Sequence, residues 1–320
     1  MNRKSVVALS GGIGGAKLSL GLLHILPPRK LSVIVNTGDD FQHLGLYITP
    51  DIDTTLYTLA GLANPETGWG LRDETWSFME AQRRRGGTTW FKLGDRDLEM
   101  HAERTWRLGC GETLSAVTSH FARSLGIDAN ILPMSDDTVR TRVATPEGEL
   151  DFQDYFVRQQ CRPQVTALHY AGAAAAQLSP AAVAALTSPD LAAIIICPSN
   201  PWLSIGPLLA LPGMGELLQD SGAPVIAVSP LIGGCAVKGP TAKIMAELGL
   251  PVSAAQVAAH YANWIDGYVL DRRDAHDVDH IAVPTLITDT LMQTLADRQR
   301  LASESLAFAA TLARSEAILR

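Results

Sequence analysis

The chain has 320 residues, of which 47% are hydrophobic and 18% charged, the composition of a folded globular protein. Its formal net charge at pH 7 is -7. Proteins that bind nucleic acid through its phosphates need a basic face, so the charge predicts that nucleic acid is not a partner. A nucleotide substrate is still allowed, because backbone amides and a metal ion can hold its phosphates.

The sequence shows no pattern typical of secretion or of membrane insertion. The apolar run that precedes the first glycines is shorter than the core of a signal peptide. The longest apolar tract, residues 171–185, is interrupted by Gln177, Ser179 and Pro180. The four cysteines form no CxxC pair, which favours reduced thiols. We therefore expect a cytoplasmic protein with no membrane partner.

Short apolar runs alternate with helical patterns along the chain. Residues 6–9 and 31–35 have the pattern of buried strands, and residues 17–26 between them have helical periodicity. Residues 194–197 and 225–228 are two further strand candidates. Such alternation predicts βαβ units and hence an α/β, Rossmann-like fold with a mostly parallel sheet.

The second quarter of the chain is mostly helical in pattern and predicts a helical insertion at about residues 55–125. No repeat, flexible linker or charge block divides the sequence, so we expect one α/β domain over residues 1–320. The predicted helices of this region cover residues 53–62, 74–84, 97–107 and 113–125.

Two other segments have recognisable patterns. Alternation around the turn at residues 146–148 predicts a β-hairpin within a segment at about residues 130–157. Near the C-terminus, Asp289 is the expected N-cap of a long amphipathic helix over residues 290–312.

The unusual segments follow the predicted strands. Glycine-rich or polar residues occupy positions 10–15, 36–40, 198–201 and 229–234. Because ligands of parallel α/β sheets bind beyond the carboxyl ends of the strands, this coincidence predicts a binding site there.

Residues 10–17 read Ser-Gly-Gly-Ile-Gly-Gly-Ala-Lys and join the first strand to the first helix. Glycines at this position allow a tight turn and expose helix N-terminal amides to an anion. The loop is not a Walker motif and only loosely fits the dinucleotide fingerprint, because Lys17 stands where the third glycine should be. The alternative is a tight turn without a ligand.

Four aspartates cluster near the second strand. Asp39 and Asp40 end that strand, and Asp51 and Asp53 open the next helix. Such carboxylates can converge on Mg²⁺, or can hydrogen-bond a substrate hydroxyl and remove its proton. The alternative is that they cap a helix or lie in a solvated turn.

A charged loop leads into the third predicted helix of the insertion. Lys92 could anchor a phosphate or another substrate group, and Arg96 could act as a bidentate clamp. His101 and Arg104 follow on one face of the helix. The alternative is a capped helix with surface ion pairs.

Two later turns contain further candidate binding residues. Ser199 and Asn200 could read a base edge or contact phosphate, and Lys238 could add positive charge. Each of these segments alone is also compatible with an ordinary turn.

In order along the chain, these segments resemble the 2-phospho-L-lactate transferase family of coenzyme F420 biosynthesis. The resemblance covers nearly the whole sequence, and its specificity comes from the ordered set of motifs. One departure is visible at residues 41–43, Phe-Gln-His, where many relatives have a Trp. The motifs that carry the resemblance are residues 10–12, Asn36, Asp40, and residues 50–54, 92–97, 133–137, 198–201, 204–207, 211–214, 229–230 and 289–292.

The resemblance implies a Mg²⁺-dependent transferase with two substrates. The terminal ribityl hydroxyl of the deazaflavin Fo attacks a guanosine diphosphate conjugate of a small acid, and GMP leaves. The transferred group is phospholactyl, phosphoenolpyruvyl or 3-phosphoglyceryl, and the sequence does not select among the three. The resemblance also implies a homodimer.

The same resemblance gives expected roles to individual residues. Asp53 and Lys92 are the expected Fo contacts, with Arg96 and Asn36 as further substrate-binding residues. Asp40 and Asp53 are the expected catalytic and metal-binding carboxylates. The expected nucleotide-binding residues are Ser10, Gly11, Gly12, Gly14, Ser199, Asn200 and Lys238.

Two other functions are compatible with parts of the pattern. A regulatory protein of the same fold group could bind a nucleotide sugar without transfer chemistry, and the segment from Lys92 to Asp97 argues against it. A nicotinamide-dependent oxidoreductase is disfavoured by the imperfect third glycine, although Asp39 or Asp40 could mimic its ribose-binding acid.

Overall fold

The computed structural model describes residues 4–319, with side chains as far as residue 313. A seven-stranded sheet forms its centre, with the order β14-β13-β10-β9-β1-β2-β5 and every neighbouring pair parallel. Its strands are β1 (Ser5–Ser10), β2 (Leu31–Val35), β5 (Asn130–Pro133), β9 (Leu191–Ile196), β10 (Val225–Val228), β13 (Gly267–Asp271) and β14 (Thr285–Thr288).

The strand order reverses between β1 and β9. The chain adds β2 and β5 on one side of β1, then returns and adds β9, β10, β13 and β14 on the other side. This is the doubly wound, Rossmann-like arrangement that the sequence predicts. Ligands of such sheets bind at the reversal, beyond the carboxyl ends of the two central strands.

Helices cover both faces of the sheet. Alternate side chains of β1 point to opposite faces, so Val7 and Leu9 pack in one apolar cluster while Val6 and Ala8 pack in the other. The helices are α1 (Gly12–Ile25), α2 (Pro50–Leu59), α3 (Ser77–Arg84), α4 (Asp97–Gly109), α5 (Leu114–Ser124), α6 (Pro180–Leu186), α7 (Gly206–Leu209), α8 (Met214–Asp220), α9 (Thr241–Glu247), α10 (Ala254–His260) and α11 (Leu295–Leu319).

Three small antiparallel sheets accompany the main one. The predicted hairpin is confirmed by β6 (Arg140–Thr145) and β7 (Gly148–Asp151), and β8 (Ala167–Ala171) pairs with β6 on its other side. Two further hairpins consist of β3 (Phe41–His43) with β4 (Leu46–Ile48), and of β11 (Leu231–Ile232) with β12 (Cys235–Ala236).

The N-cap predicted at Asp289 is wrong. Asp289 follows β14, and α11 begins at Leu295. The Thr294 hydroxyl accepts the Asp297 N–H at 3.2 Å, and the Asp297 carboxylate accepts the Thr294 N–H at 2.7 Å. This reciprocal pair is a capping box, and it starts the helix five residues later than an aspartate N-cap would.

The region of the predicted insertion contains α2 to α5, and both α2 and α3 begin elsewhere than predicted, α3 at Ser77 instead of residue 74. The second helix begins at Pro50 instead of residue 53, because proline is well suited to the first helical position. Asp51 and Asp53 therefore lie inside its first turn, where the helix dipole favours negative charge. The single-domain organisation and the bounds of the insertion stay predictions.

Within residues 4–319, no helix combines the length and the apolar character that crossing a membrane requires.

Candidate functional site

A cavity of about 660 Å³ lies beyond the carboxyl ends of the strands. Segments that follow β1, β2, β9, β10 and β14 line it, together with α2 and the start of α4. The predicted site residues that line it are Gly11, Gly12, Gly14, Asp53, Lys92, Ser199, Asn200 and Lys238. The predicted residues that the structure places outside the lining are Ser10, Asn36, Asp40 and Arg96.

Glycines of the first loop are required by close packing against the loop after β9. A Cβ on Gly14 would lie 2.2 Å from the backbone oxygen of Pro198, and one on Gly11 would lie 2.6 Å from the Ser204 Cβ. Gly12 has a φ of +62°, in the left-handed region that side chains disfavour. The loop therefore brings its backbone directly against the topological reversal of the sheet.

Two amides of this loop are already satisfied by side chains. The Gly12 N–H donates to Asp51 Oδ1 at 2.8 Å, and Asn36 Nδ2 donates to Asp51 Oδ2 at 2.9 Å. The Gly11 N–H donates to Ser199 Oγ at 3.2 Å, and that hydroxyl donates back to the Gly11 carbonyl at 2.8 Å. A phosphate entering this conformation must therefore use other donors of the lining.

Asp51 and Asn36 thus hold the loop from behind. Asn36 is fully buried and also accepts the Gly38 N–H at 2.8 Å. Burial raises the pKa of Asp51 to about 6, against the opposing effect of its hydrogen bonds from Asn36 and Gly12. Asp51, one of the four aspartates that cluster in the sequence, lines the cavity.

Asn200 joins the loop that follows β9 to the start of α9. Its Oδ1 accepts the N–H groups of Trp202 and Leu203, both at 2.9 Å, and its Nδ2 donates to Thr241 Oγ1 at 3.1 Å. These bonds fix one wall of the cavity. Any contact that Asn200 makes with a nucleotide adds to this structural role.

Three lysines line the cavity, and among the described residues none of them forms an ion pair. Lys17 Nζ donates to the Met292 carbonyl at 3.2 Å, and Lys238 Nζ donates to the Thr67 carbonyl at 2.8 Å. Burial lowers the pKa of Lys17, and the positive charges of Arg298 and Lys238 lower it further. These unpaired ammonium groups suit an anionic ligand.

Asp53 faces the cavity from α2 and is held by a buried arginine. Arg104 of α4 binds both oxygens of the Asp53 carboxylate through Nη1, at 3.2 Å from Oδ2, and through Nη2. His101 Nδ1 lies 3.7 Å from Asp53 Oδ2. Asp97 lies 3.4 Å from His101 Nε2 and accepts a hydrogen bond from the Tyr57 hydroxyl.

Carboxyl oxygens near the end of β2 are the strongest candidates for a cation. Asp39 Oδ1 and Asp40 Oδ1 are buried and have no hydrogen-bond partner in the structure. Burial raises the pKa of both side chains well above the ordinary range, and the Asp51 carboxylate raises that of Asp39 further. Asp39 lines the cavity, whereas Asp40 lies behind it and accepts from the Tyr47 hydroxyl at 3.4 Å.

These residues fit Mg²⁺ only with help from a ligand. Within the described part of the chain, no three His, Cys, Asp or Glu side chains are grouped so that they could hold a metal ion. Mg²⁺ is usually held by one or two carboxylates together with substrate phosphates, which matches a site with a free Asp39 oxygen. The predicted ligand Asp53 has both oxygens engaged by Arg104.

Aromatic side chains form another large part of the lining. Trp90 and Phe91 stand next to Lys92 and pack with Phe41 and His43, with ring centroids of His43 and Trp90 5.1 Å apart. The aromatic lining residues are Tyr57, Trp69, Trp90, Phe91, Phe152 and Phe156. Flat rings of this kind suit a planar heteroaromatic ligand.

Arg96 and Ser10 make contacts away from the cavity. Arg96 Nη1 donates to the Arg72 carbonyl at 2.9 Å, and the backbone N–H of Arg96 donates to Glu74 Oε1 at 2.6 Å. Ser10 is buried behind the glycine loop, where its Oγ would lie 2.3 Å from a Cβ on Gly15. Their binding roles stay predictions without a contact in this structure to support them.

The fold and cavity therefore define an α/β protein with a nucleotide-sized site at the sheet reversal. Residues 6–310 match the family model described as 2-phospho-L-lactate transferase CofD. A phosphoenolpyruvate transferase from Streptomyces griseus subsp. griseus is 40% identical over 92% of this chain and 97% of its own length. A 2-phospho-L-lactate transferase from Methanocaldococcus jannaschii is 38% identical over 96% of this chain and 99% of its own length.

The chain belongs to the 2-phospho-L-lactate transferase CofD family, and so to a family of transferases. The resemblance inferred from the sequence is confirmed. Among solved structures, a UPF0052-family protein from Bacillus halodurans has a TM-score of 0.64 at 14% identity and covers 96% of this chain and 99% of its own. At that identity the likeness concerns the fold alone.

Several cavity residues were missed by the sequence prediction. In the sequence, Lys17 stands where the third glycine of the dinucleotide pattern should be, and the aromatic side chains form no motif. The loop that carries Trp69 and the segment of residues 290–293 also line the site. Residues 289–292 belong to the motifs that carry the family resemblance, but only the folded chain brings this segment, Lys17 and the aromatic rings to the strand ends.

Proposed function

We propose that the protein transfers a phosphorylated small organic acid from a guanosine diphosphate conjugate to the terminal ribityl hydroxyl of the deazaflavin Fo. The hydroxyl oxygen attacks the phosphorus next to the acid, the bond from that phosphorus to the GMP oxygen breaks, and GMP leaves. The product is a phosphodiester precursor of coenzyme F420. Membership of the transferase family supports this reaction over the regulatory-binding alternative.

One observation carries the proposal: a single cavity is lined by both the glycine loop of α1 and a set of aromatic rings. The aromatic residues suit the planar Fo rings, and the glycine-loop side, with Lys17 and Lys238, suits the charged donor. Two substrates held in one cavity gain the advantage of proximity, which can account for several kcal/mol of a reaction barrier.

Asp53 and Lys92 are the proposed contacts of the acceptor. Both line the cavity, and Asp53 offers carboxylate oxygens whose direction is fixed by Arg104. We assign Asp53 the role of orienting the ribityl hydroxyl. Preorganised positive charge from the lining lysines stabilises the charge that spreads over the transferred phosphoryl group.

Mg²⁺, when bound, supplies positive charge that neutralises the substrate phosphates. We propose that Asp39, with Asp40 behind it, contributes the protein ligands, because their free buried oxygens suit a cation. Asp53, predicted from the sequence as a ligand, is better suited to the acceptor hydroxyl because Arg104 already neutralises it.

The similar proteins do not select one transferred acid for this chain. Similar proteins carry the names phosphoenolpyruvate transferase and 2-phospho-L-lactate transferase at nearly equal identity. We therefore propose a phosphoenolpyruvyl, phospholactyl or 3-phosphoglyceryl donor. A homodimer and a cytoplasmic location are further parts of the proposal, and light scattering on the purified protein tests the first.

The test is to incubate purified protein with Fo, Mg²⁺ and each of the three guanylated donors separately, and to identify products by mass spectrometry. We expect an Fo phosphodiester and an equal amount of GMP with at least one donor, and loss of product on adding EDTA. Absence of product with every donor, combined with tight binding of a nucleotide sugar, would support the regulatory-binding function instead.

A further inference from the structure

Arg104 is the largest side chain that the structure buries completely, with 1% of its surface exposed. It does not line the cavity, yet it contacts a residue that does, Asp53. Burying a guanidinium costs free energy of folding unless the charge is paired and its N–H groups are hydrogen-bonded. The partners of Arg104 therefore indicate its role. Its position one layer behind the lining makes it a candidate for acting through Asp53.

The guanidinium forms a two-point contact with the carboxylate. Nη1 donates to Asp53 Oδ2 at 3.2 Å, Nη2 donates to Asp53 Oδ1, and Nη1 also lies 3.3 Å from the Tyr47 carbonyl. The Phe121 ring packs with its centroid 5.7 Å from the guanidinium carbon. A fork held at both ends fixes the rotation of the carboxylate as well as its position.

His101 also contacts Arg104, on the side of the guanidinium that faces Asp97. Arg104 Nη1 lies 3.1 Å from His101 Nδ1, and a guanidinium can only donate, so Nδ1 must accept. The other ring nitrogen, Nε2, faces Asp97 Oδ2 at 3.4 Å. His101 thus lies between Arg104 and Asp97, with one ring nitrogen facing each of them.

We propose that Arg104 is a positioning residue that aims the Asp53 carboxylate at the acceptor hydroxyl. The inference rests on the proposed function and adds to it a residue outside the cavity on which the reaction depends. Arg104 acts through Asp53 and not on substrate, so its removal lowers turnover chiefly when Asp53 is present. His101 and Asp97 keep Arg104 in place from the cavity side.

The test is a double-mutant cycle of Arg104→Lys and Asp53→Asn, with kcat and the KM values for Fo and for the donor measured for each variant. A lysine keeps the charge but not the fork, so kcat is expected to fall about 100-fold, as for an ångström-scale misplacement of a reacting group, with the donor KM unchanged. In the Asp53→Asn background, the same substitution is expected to cause no further loss.

Arg107→Gln is the matched control, since Arg107 lies one turn along α4 and pairs with Glu103 and Glu112 near the surface. It is expected to keep the wild-type kcat. If Arg104→Lys does not fold, Asp53→Asn/Arg104→Gln, which leaves no unpaired buried charge at this pair, is compared with Asp53→Asn alone.

Equal kcat for those two variants, or a non-additive cycle, supports the inference. An unchanged kcat in Arg104→Lys, or a full further loss in the Asp53→Asn background, overturns it while leaving the proposed function intact. Failure of the wild-type protein to form product with any donor overturns the proposed function and this inference together.

Discussion

At the scale of single residues, the site depends on side chains that serve the fold and the cavity together. Ser199 ties the glycine loop to the loop after β9, and Asp51 satisfies an amide of that same loop. Replacing either residue is expected to lower both stability and ligand affinity, because the hydrogen bond lost from the buried loop contributes to folding as well as to binding. Glycines whose Cβ has no room provide a cleaner test.

Gly14→Ala is expected to destabilise the protein by about 1–3 kcal/mol, the usual cost of overpacking. Its Cβ would lie 2.2 Å from the Pro198 backbone oxygen, so the two loops at the sheet reversal must separate. Thermal unfolding measures the loss, and the donor KM is expected to rise. Gly109→Ala is the control, since no atom outside its chain neighbours and the backbone of its own helix lies within 4 Å of its Cβ position. An equal loss at Gly109 would contradict the packing argument.

At the scale of elements, the cavity is assembled from segments that follow different strands. The segment after β14 lines it and is attached to the end of β13 through Asp271. Asp271 Oδ2 accepts the Thr290 N–H at 2.8 Å, and Oδ1 accepts the Arg273 N–H at 2.9 Å. Although burial opposes them, these hydrogen bonds lower the pKa of Asp271 below its ordinary value.

This lowered pKa predicts a definite pH dependence of stability. Because the folded-state pKa lies below the unfolded value, the stabilisation is fully present above about pH 4 and is lost as the pH falls through the folded-state pKa. Unfolding by urea at several pH values should therefore show wild type more stable than Asp271→Asn near neutrality, with the difference shrinking in acid. A difference that stays constant with pH would contradict the assignment.

The aromatic residues of the cavity lead to a separate prediction about the KM for the acceptor, Fo. Trp90→Ala is expected to raise the KM for Fo about tenfold, because one aromatic stacking contact contributes roughly 0.5–1.5 kcal/mol beyond the apolar area it buries. The donor KM is expected to stay near that of wild type. Steady-state kinetics with each substrate varied in turn measures both values.

Trp106→Ala controls for the general effect of removing a tryptophan. Trp106 is 64% exposed on α4 and does not line the cavity. A rise in the Fo KM for Trp106→Ala as large as that for Trp90→Ala would argue against aromatic recognition in the cavity.

The elements themselves were predictable to different degrees. The strands β1, β2, β9 and β10 are continuous apolar runs and were identified, because a strand buried on both faces needs no polar side chains. The strand β5 was missed because it is short and begins at the exposed Asn130. The strand β14 was missed because an edge strand keeps partly exposed residues and so has no continuous apolar run.

At the scale of the whole molecule, the order of the strands converts separate loops into one site. Glycine and acidic segments could be predicted from sequence because each follows a strand, and parallel strands end on the same side. The pairing of Asp53 with Arg104 could not be predicted. It joins residues 51 positions apart on α2 and α4, and their contact depends on how those helices pack.

The same limit applies to Lys17 and to the aromatic rings. Lys17 reaches the cavity because α1 starts at its wall, and Trp90 reaches it because the loop before α4 packs against Phe41 and His43 of β3. No local pattern encodes either approach. The net charge of -7 also gives no sign of this feature, because it does not show that three lysines line one cavity.

In the proposed reaction, one cavity holds both substrates, and the ribityl hydroxyl of Fo lies at Asp53. A crystal structure of the protein with Fo and GMP bound tests it most directly. We expect the Fo rings against Trp90 and Phe91, the ribityl terminus within hydrogen-bond distance of Asp53, and the GMP phosphate near Lys17 and Lys238. Fo bound outside this cavity, or with its ribityl chain directed away from Asp53, would contradict it.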